Sequence, residues 1–241
     1  MRHLIVLACA GVLGLPAAAH DLITAESAQA YLAGADRLKQ VIDANGAAAG
    51  RAQAYAELGK MLDEIRELLN RDLEAHGRVQ GLPSNFLMSE LAARNTPLAF
   101  SATRNRFVAN LQYYREALQL APAGPAAADA MFGLLQGHFY DSFSGDPLRP
   151  AGQSAEQLAR QIRVAQDYLE RYPRHAGREE AEFILAIHYM QGAGAATNEG
   201  ERAAYSRQAQ RVSAGFLRDY PDSIRAAALT QLLEGVVAAT Q

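Results

Sequence analysis

The histidines are the side chains of this chain best suited to metal or acid–base chemistry, and there are six of them. Cleavage of a signal peptide after Ala19 would leave five, at positions His20, His76, His138, His175 and His188. None of these pairs at a ligand spacing such as H-x-x-x-H, and no cysteine remains to assist them. We therefore predict no cofactor and no metal, with one alternative: a new N-terminal His20 can chelate copper through its α-amine and imidazole.

Residues 137–147 hold the most varied group of reactive side chains. His138 and Asp141 could serve a small hydrolase, yet the chain has no G-x-S-x-G motif, and its aspartates do not follow the calcium pattern D-x-D-x-D-G. Aromatic side chains dominate the hot spots of protein interfaces. The segment is therefore interpreted either as a helix end packed on the next hairpin or as an exposed partner-binding cluster of Phe139, Tyr140 and Phe143. We predict no catalytic residue.

A small basic cluster, Arg174, His175 and Arg178, follows Pro173. It is interpreted either as a solvated helix start or as a contact for an acidic peptide, and Arg174 and Arg178 are candidate partner-binding residues. Residues 192–197 are rich in glycine and alanine, but no Lys follows them as in a phosphate-binding P-loop. We expect this run to be a flexible turn between hairpins.

The first nineteen residues have the pattern of a secretory signal peptide. Arg2 precedes the apolar run from Leu4 to Leu15, and small residues at 17–19 supply a cleavage site. The run is shorter than the ~20 residues that span a bilayer, so we expect no membrane span. Cys9 loosely resembles a lipidation site, which makes a lipid anchor the alternative. The expected location is periplasmic or secreted.

The charge balance argues against a nucleic-acid partner. The chain has 23 Lys and Arg against 26 Asp and Glu, and the loss of Arg2 with the signal peptide leaves a net charge of −4. Nucleic acid requires a clustered basic surface, which this balance does not favour. Much of the 49% hydrophobic content is Ala, which favours helices.

The elements that must position these side chains are predicted to be helices almost throughout. Apolar residues recur at three- and four-residue steps over 24–44, after the N-cap Thr24, and over 50–75, before the stop at Gly77. These helices form an N-terminal hairpin, 20–76. Residues 77–102 are a connector with a short helix capped by Ser84. The connector is interpreted either as a plain linker or as a loop that lines a binding groove.

A repeated helix ending marks the remaining segment, 103–241. The sequence YLERYP, ending in Tyr172-Pro173, returns 48 residues later as FLRDYP, ending in Tyr220-Pro221. Pro122 ends a third helix after Ala121, because proline disfavours helix in the residue before it and lacks the N–H. We expect the two tyrosine rings to cover the corners. The predicted helix pairs are 103–120 with 125–142, 154–172 with 177–191, and 199–220 with 223–239.

These corners resemble those of tetratricopeptide-type (TPR-like) repeats, in particular in periplasmic proteins of Gram-negative bacteria such as outer-membrane assembly lipoproteins and Tol–Pal coordination proteins. Phe216, Tyr220-Pro221, Ser223 and Ala228 match the pattern F-x-x-x-YP-x-S-x-x-x-x-A. The resemblance covers residues 103–239, although the corner spacing near 50 departs from the usual repeat of about 34 residues. It implies an all-α fold of antiparallel helical hairpins stacked as a TPR-like right-handed superhelix, whose concave face binds a peptide or another protein.

The expected function is that of a non-enzymatic scaffold or adaptor that binds protein or peptide partners. The process expected for it is cell-envelope assembly. The alternatives are a copper-binding protein that uses His20 and a small hydrolase that uses the His138 and Asp141 region.

Overall fold

The computed structural model describes residues 22–44, 46–79, 81–142, 148 and 154–238. They divide into two compact units, an N-terminal unit up to Asp141 and a C-terminal unit from Ser142 onwards. This boundary lies inside the segment 103–241, which the repeat pattern groups together. The predicted signal peptide with Cys9, the copper candidate His20 and the aromatic candidate Phe143 lie outside the described residues.

Helices dominate both units, so the predicted all-α class is confirmed. In the described part of the N-terminal unit, the exceptions are two strands of three residues each. The elements in chain order are α1 (Ala25–Asp43), α2 (Ala48–His76), α3 (Leu82–Ala93), β1 (Ala99–Ser101), β2 (Arg106–Val108), α4 (Gln112–Leu120) and α5 (Ala127–Ser142).

Local signals determine where α1 begins and where α2 ends. The Thr24 hydroxyl accepts a hydrogen bond from the Ser27 N–H (3.1 Å), and the Ser27 hydroxyl accepts one from the Thr24 N–H (2.9 Å). This reciprocal cap satisfies two donors that a helix start leaves unpaired. Gly77 ends α2 in the left-handed conformation (φ 71°), which glycine adopts without strain. Both predicted ends are confirmed.

The connector contains its predicted short helix, but Ser84 is not the N-cap. The helix α3 begins earlier, at Leu82, and Ser84 lies buried inside its first turn. Leu87 and Leu91 of α3 are fully buried in a core to which α1 and α2 contribute further leucines and isoleucines. α3 is therefore part of the packed unit rather than a plain linker.

The helix predicted over 103–120 is wrong in its first half. Residues 99–108 form an antiparallel hairpin in which Phe100 pairs with Phe107, and α4 begins only at Gln112. Asn105 supports the turn in a left-handed conformation (φ 48°), which asparagine tolerates. Asn70 of α2 holds β2 in place: its Oδ1 accepts from the Phe107 N–H (2.8 Å), and its Nδ2 donates to the Phe107 carbonyl (2.9 Å). A contact between distant residues thus overrides the local pattern.

Tyr114 is the side chain on which α2, α4 and α5 converge. Its ring is buried on α4 against Gly59 of α2 and Gly133 of α5. A side chain at either glycine would collide with the ring. The two glycines therefore allow three helices to pack closely around one aromatic residue.

The described part of the C-terminal unit consists of helices alone, with α7 at its centre. Their bounds are α6 (Ala155–Arg171), α7 (Arg178–Ala195), α8 (Glu199–Asp219) and α9 (Ile224–Ala238). α7 packs against α6, α8 and α9, and most of its side chains are buried. Gly192 was expected in a flexible turn and instead lies within α7, where the absence of a side chain lets the Tyr205 ring of α8 contact the helix.

The three corners have one local geometry. Ala121, Tyr172 and Tyr220 each follow the last helical residue, with φ/ψ of −148°/75°, −126°/56° and −133°/59°. In each corner this residue donates its N–H to the carbonyl four positions back and accepts from the N–H three positions ahead, over 2.8–3.1 Å. The predicted helix ends at Pro122, Pro173 and Pro221 are therefore confirmed.

Candidate functional site

The predicted aromatic anchor at the end of α5 is wrong for Phe139. This side chain is fully buried (0% exposed) and belongs to the core. Tyr140 is half-buried, and its ring stands edge-on to that of Phe139, with centroids 5.2 Å apart. The interpretation as a helix end with packed rings therefore fits Phe139 better than that of an exposed hot spot.

The side chains of His138 and Asp141 have separate surroundings. The Asp141 carboxylate accepts a hydrogen bond from the Ala109 N–H (3.0 Å) and lies 3.9 Å from Nη1 of Arg66. Burial raises its pKa, and the charge of Arg66 opposes that shift. For His138, burial and then the charge of Arg115 lower the pKa. In the described residues no hydrogen bond joins the two side chains, and Asp141 is occupied in fixing the chain after β2.

A buried polar network in the N-terminal unit went undetected in the sequence. Asp63 accepts hydrogen bonds from the Tyr114 hydroxyl (2.7 Å) and from Nε of Arg66 (3.1 Å), so that Arg66 stands between Asp63 and Asp141. Burial raises the pKa of Asp63 despite the opposing charge of Arg66. Arg66 is buried and Asp63 is half-buried. Their partners Tyr114 and Asp141 lie far away in the sequence, so the periodicity of α2 alone does not reveal this network.

The basic cluster after Pro173 is used mainly to build the corner. Nη2 of Arg178 forms an ion pair with Glu182 (2.7 Å), and its Nη1 donates to the Pro173 carbonyl (3.0 Å). Nδ1 of His175 accepts from the Gly177 N–H (3.1 Å) and lies 2.5 Å from the Tyr168 hydroxyl. Arg174 alone of the three is exposed. Arg178 and His175 are therefore held in structural contacts.

The second and third corners are linked by polar contacts between α7 and the α8–α9 turn. The Ser223 hydroxyl donates to Glu179 (2.7 Å), and Arg225 forms an ion pair with Glu180 (3.1 Å). These contacts join equivalent ends of two successive helix pairs and fix one pair against the next.

Polar and aromatic side chains from α6, α7 and α8 meet around Tyr189. Gln166 of α6 donates to the Tyr189 hydroxyl (2.8 Å), and the ring centroids of Tyr189 and Tyr205 are 6.4 Å apart. Tyr189 is buried, which raises the pKa of its hydroxyl, and the positive charge of Arg211 on α8 opposes this shift. Arg163 precedes Gln166 by three residues and is exposed. We call these five residues the Tyr189 face.

The first aromatic of each repeated ending is the true anchor of its corner. Tyr168 and Phe216 are fully buried, whereas Tyr172 and Tyr220 are only half-buried. Phe216 lies against Phe183 of α7, with ring centroids 6.1 Å apart. The sequence pattern located the corner correctly but assigned the main packing role to the wrong aromatic.

Neither models of known protein families, nor curated proteins, nor solved structures give a match to this chain. Over the ranges described above, no helix has both the length and the apolar character to cross a membrane. The same ranges hold no group of three or more His, Cys, Asp or Glu side chains arranged to bind a metal ion.

Proposed function

We propose that this protein is a non-enzymatic scaffold or adaptor that binds a protein or peptide partner outside the cytoplasm, in the assembly of the cell envelope. The proposal includes a TPR-like stacking of the hairpins α6–α7 and α8–α9 into a right-handed superhelix. The site of partner binding is the exposed side of α6 and α8 around the Tyr189 face.

The observation that carries this proposal is the repeated corner with its links. Tyr172 and Tyr220 have nearly the same backbone conformation and the same hydrogen bonds. Ser223 and Arg225 then tie the second of these corners to the start of α7. A chain that repeats a helix pair and locks each copy to the next builds an extended surface, and such surfaces serve to bind other chains.

The composition of the Tyr189 face supports a binding role. Tyr189 itself is buried, but Arg163 and Arg211 are exposed and Tyr205 is half-buried. Arginine and tyrosine are enriched at protein interfaces. The periplasmic or secreted location rests on the signal-peptide pattern of residues 1–19.

Position-specific photo-crosslinking in intact cells tests the proposed function. A crosslinking amino acid at Ala214, exposed on α8 one turn after Arg211, is expected to trap a discrete protein partner. The same amino acid at Ala92, exposed on α3, is the matched control and is expected to trap none. A crosslink pattern that is identical at the two positions, or absent from both, would contradict the proposal.

A further inference from the structure

Two arginines occupy equivalent positions in successive repeats. Arg163 and Arg211 are 48 residues apart, the same distance that separates Tyr172 from Tyr220. Both side chains are exposed, and within the described residues neither forms an ion pair. Each arginine has the same position relative to the buried face of its helix, because the buried positions also correspond: Leu158 with Ser206, Ala165 with Ser213, and Tyr168 with Phe216.

Both arginines lie on helices that contact Tyr189 of α7. Gln166, which bonds to the Tyr189 hydroxyl, lies three residues after Arg163 and hence on the same side of α6. On α8, which carries Arg211, the ring of Tyr205 lies 6.4 Å from that of Tyr189, measured between centroids. Tyr189 itself is buried, so the exposed arginines form the outer part of this face.

The middle of α8 carries only positive charge. No acidic residue occurs between Glu201 and Asp219, whereas four arginines do, at positions Arg202, Arg207, Arg211 and Arg218. Arg207 and Arg211 are one turn apart, and like charges at this spacing destabilise a helix by a few tenths of a kcal/mol. No described carboxylate pairs with either side chain to offset the repulsion. An anionic ligand would neutralise both arginines and remove this repulsion.

We propose that the Tyr189 face, together with Arg207, binds an acidic segment of a partner protein in extended conformation. This inference rests on the proposed scaffold function and names the chemistry of its ligand. Arg207 and Arg211 are about 6 Å apart along the helix axis. Alternate residues of an extended chain are about 6.6 Å apart, so carboxylates at every second position match this spacing.

The carboxylates that surround Arg163, Arg207 and Arg211 favour a narrow ligand. Glu199 and Glu201 stand at one end of α8 and Asp219 at the other, and Asp167 of α6 is paired with Arg171. A flat anionic membrane or a nucleic-acid duplex would meet these carboxylates as well as the arginines. A single extended peptide can follow the arginines alone.

Fluorescence anisotropy with a short, labelled peptide of alternating Glu and Ser tests this proposal on the full chain. The peptide is expected to bind, its affinity is expected to fall as salt is added, and the matching peptide of alternating Gln and Ser is expected not to bind. Substituting Arg163→Gln or Arg211→Gln is expected to weaken binding about two- to fivefold each, the range of exposed ion pairs. Neither change is expected to shift the melting temperature, because neither side chain forms an ion pair with a described residue.

The matched control is Arg202→Gln, on the same helix with the same change of charge. Arg202 is nine residues from Arg211, which is two and a half turns, and so lies on the opposite side of α8. An equal loss of affinity in R202Q and R211Q would overturn the proposal, because binding would then follow net charge. So would binding to vesicles containing phosphatidylglycerol without binding to the peptide. A position-specific crosslink at Ala214 with no peptide binding would overturn the acidic ligand while leaving the scaffold function intact.

Discussion

The two units of this protein use polar side chains differently. In the N-terminal unit, Arg66 is buried between Asp63 and Asp141, where it ties α2 to the residues after β2 and to the end of α5. In the C-terminal unit, the polar contacts that join successive helix pairs, such as Ser223 with Glu179, are partly exposed, and the buried polar pair of His188 and Gln191 lies within the single helix α7. The first unit joins elements that occur once, whereas the second repeats one corner.

This difference has an energetic consequence. A buried charge must be paired, since removing one partner leaves the other without compensation. Surface pairs contribute little individually, so the C-terminal unit must derive its stability from packing. The two units should therefore respond differently to substitutions of polar and of apolar residues.

The largest effect is expected from Phe216→Ala. This ring is fully buried between α7 and α8, so its removal should lower the free energy of unfolding by about 3–5 kcal/mol. Tyr220→Ala is the control, and it should cost clearly less because Tyr220 is half-buried. Urea unfolding followed by circular dichroism measures both. A larger loss of unfolding free energy in Tyr220→Ala would mean that the residue before the proline, rather than Phe216, is the main anchor of the corner.

Asn70→Ala should have the next largest effect. It leaves the N–H and the carbonyl of Phe107 without their partners in a buried setting, at a cost of about 1–3 kcal/mol. Hydrogen exchange should show faster exchange of the Phe107 amide while the amides of α7 keep their protection. Unchanged exchange at Phe107 would mean that the hairpin holds without α2.

The helix ends were predictable because their signals are local. Each helix end is determined by a cap or by a missing N–H that lies within a few residues of it. These signals are Thr24, Gly77 and the three corner prolines. The β-hairpin was not predictable in this way. Its second strand depends on Asn70, 37 residues earlier, and periodicity within the strand gives no sign of that partner.

In the candidate site, too, contacts between distant residues could not be predicted from local sequence patterns. Arg163 and Arg211 are separated by the repeat spacing, so their equivalence can be found in the sequence alone. The contacts of Gln166 and Tyr205 with Tyr189 cannot, because they require knowledge of how α6 and α8 pack on α7. Phe139 failed as a candidate for the same reason, since an aromatic at a helix end looks alike whether it is buried or exposed.

Asp63→Asn should change how stability depends on pH. Burial raises the pKa of Asp63 above its usual 3.8, so the folded state holds the proton more tightly than the unfolded state does. Stability from this group is therefore greatest at low pH and is lost as pH rises from about 3.8 through the raised pKa. Each pKa unit corresponds to about 1.4 kcal/mol. Urea midpoints measured across that range should fall less steeply in Asp63→Asn than in the original chain.

Asp219→Asn is the control for that titration. Asp219 is exposed, and its hydrogen bond with Arg218 lowers its pKa, so its contribution has the opposite sign. Its removal should not flatten the fall in stability with rising pH. If the fall in stability with rising pH became equally shallow in both variants, the buried network of the N-terminal unit would not be the source of that fall.

The smallest effect is expected from Glu179→Gln. It weakens the partly exposed contacts of Glu179 with Ser223 and Arg225, so the cost should be about 0.2–1 kcal/mol. Thermal melts at low and high salt measure it, and the difference from the original chain should shrink as salt is added. A loss as large as that of Phe216→Ala would mean that surface contacts, rather than packing, hold the repeats together.

The most direct measurement is the ratio of dissociation constants of R211Q and R202Q for the alternating Glu and Ser peptide. We predict that R211Q binds about two- to fivefold more weakly than R202Q, which should bind like the original chain. Equal dissociation constants for the two variants would contradict a binding surface at the Tyr189 face.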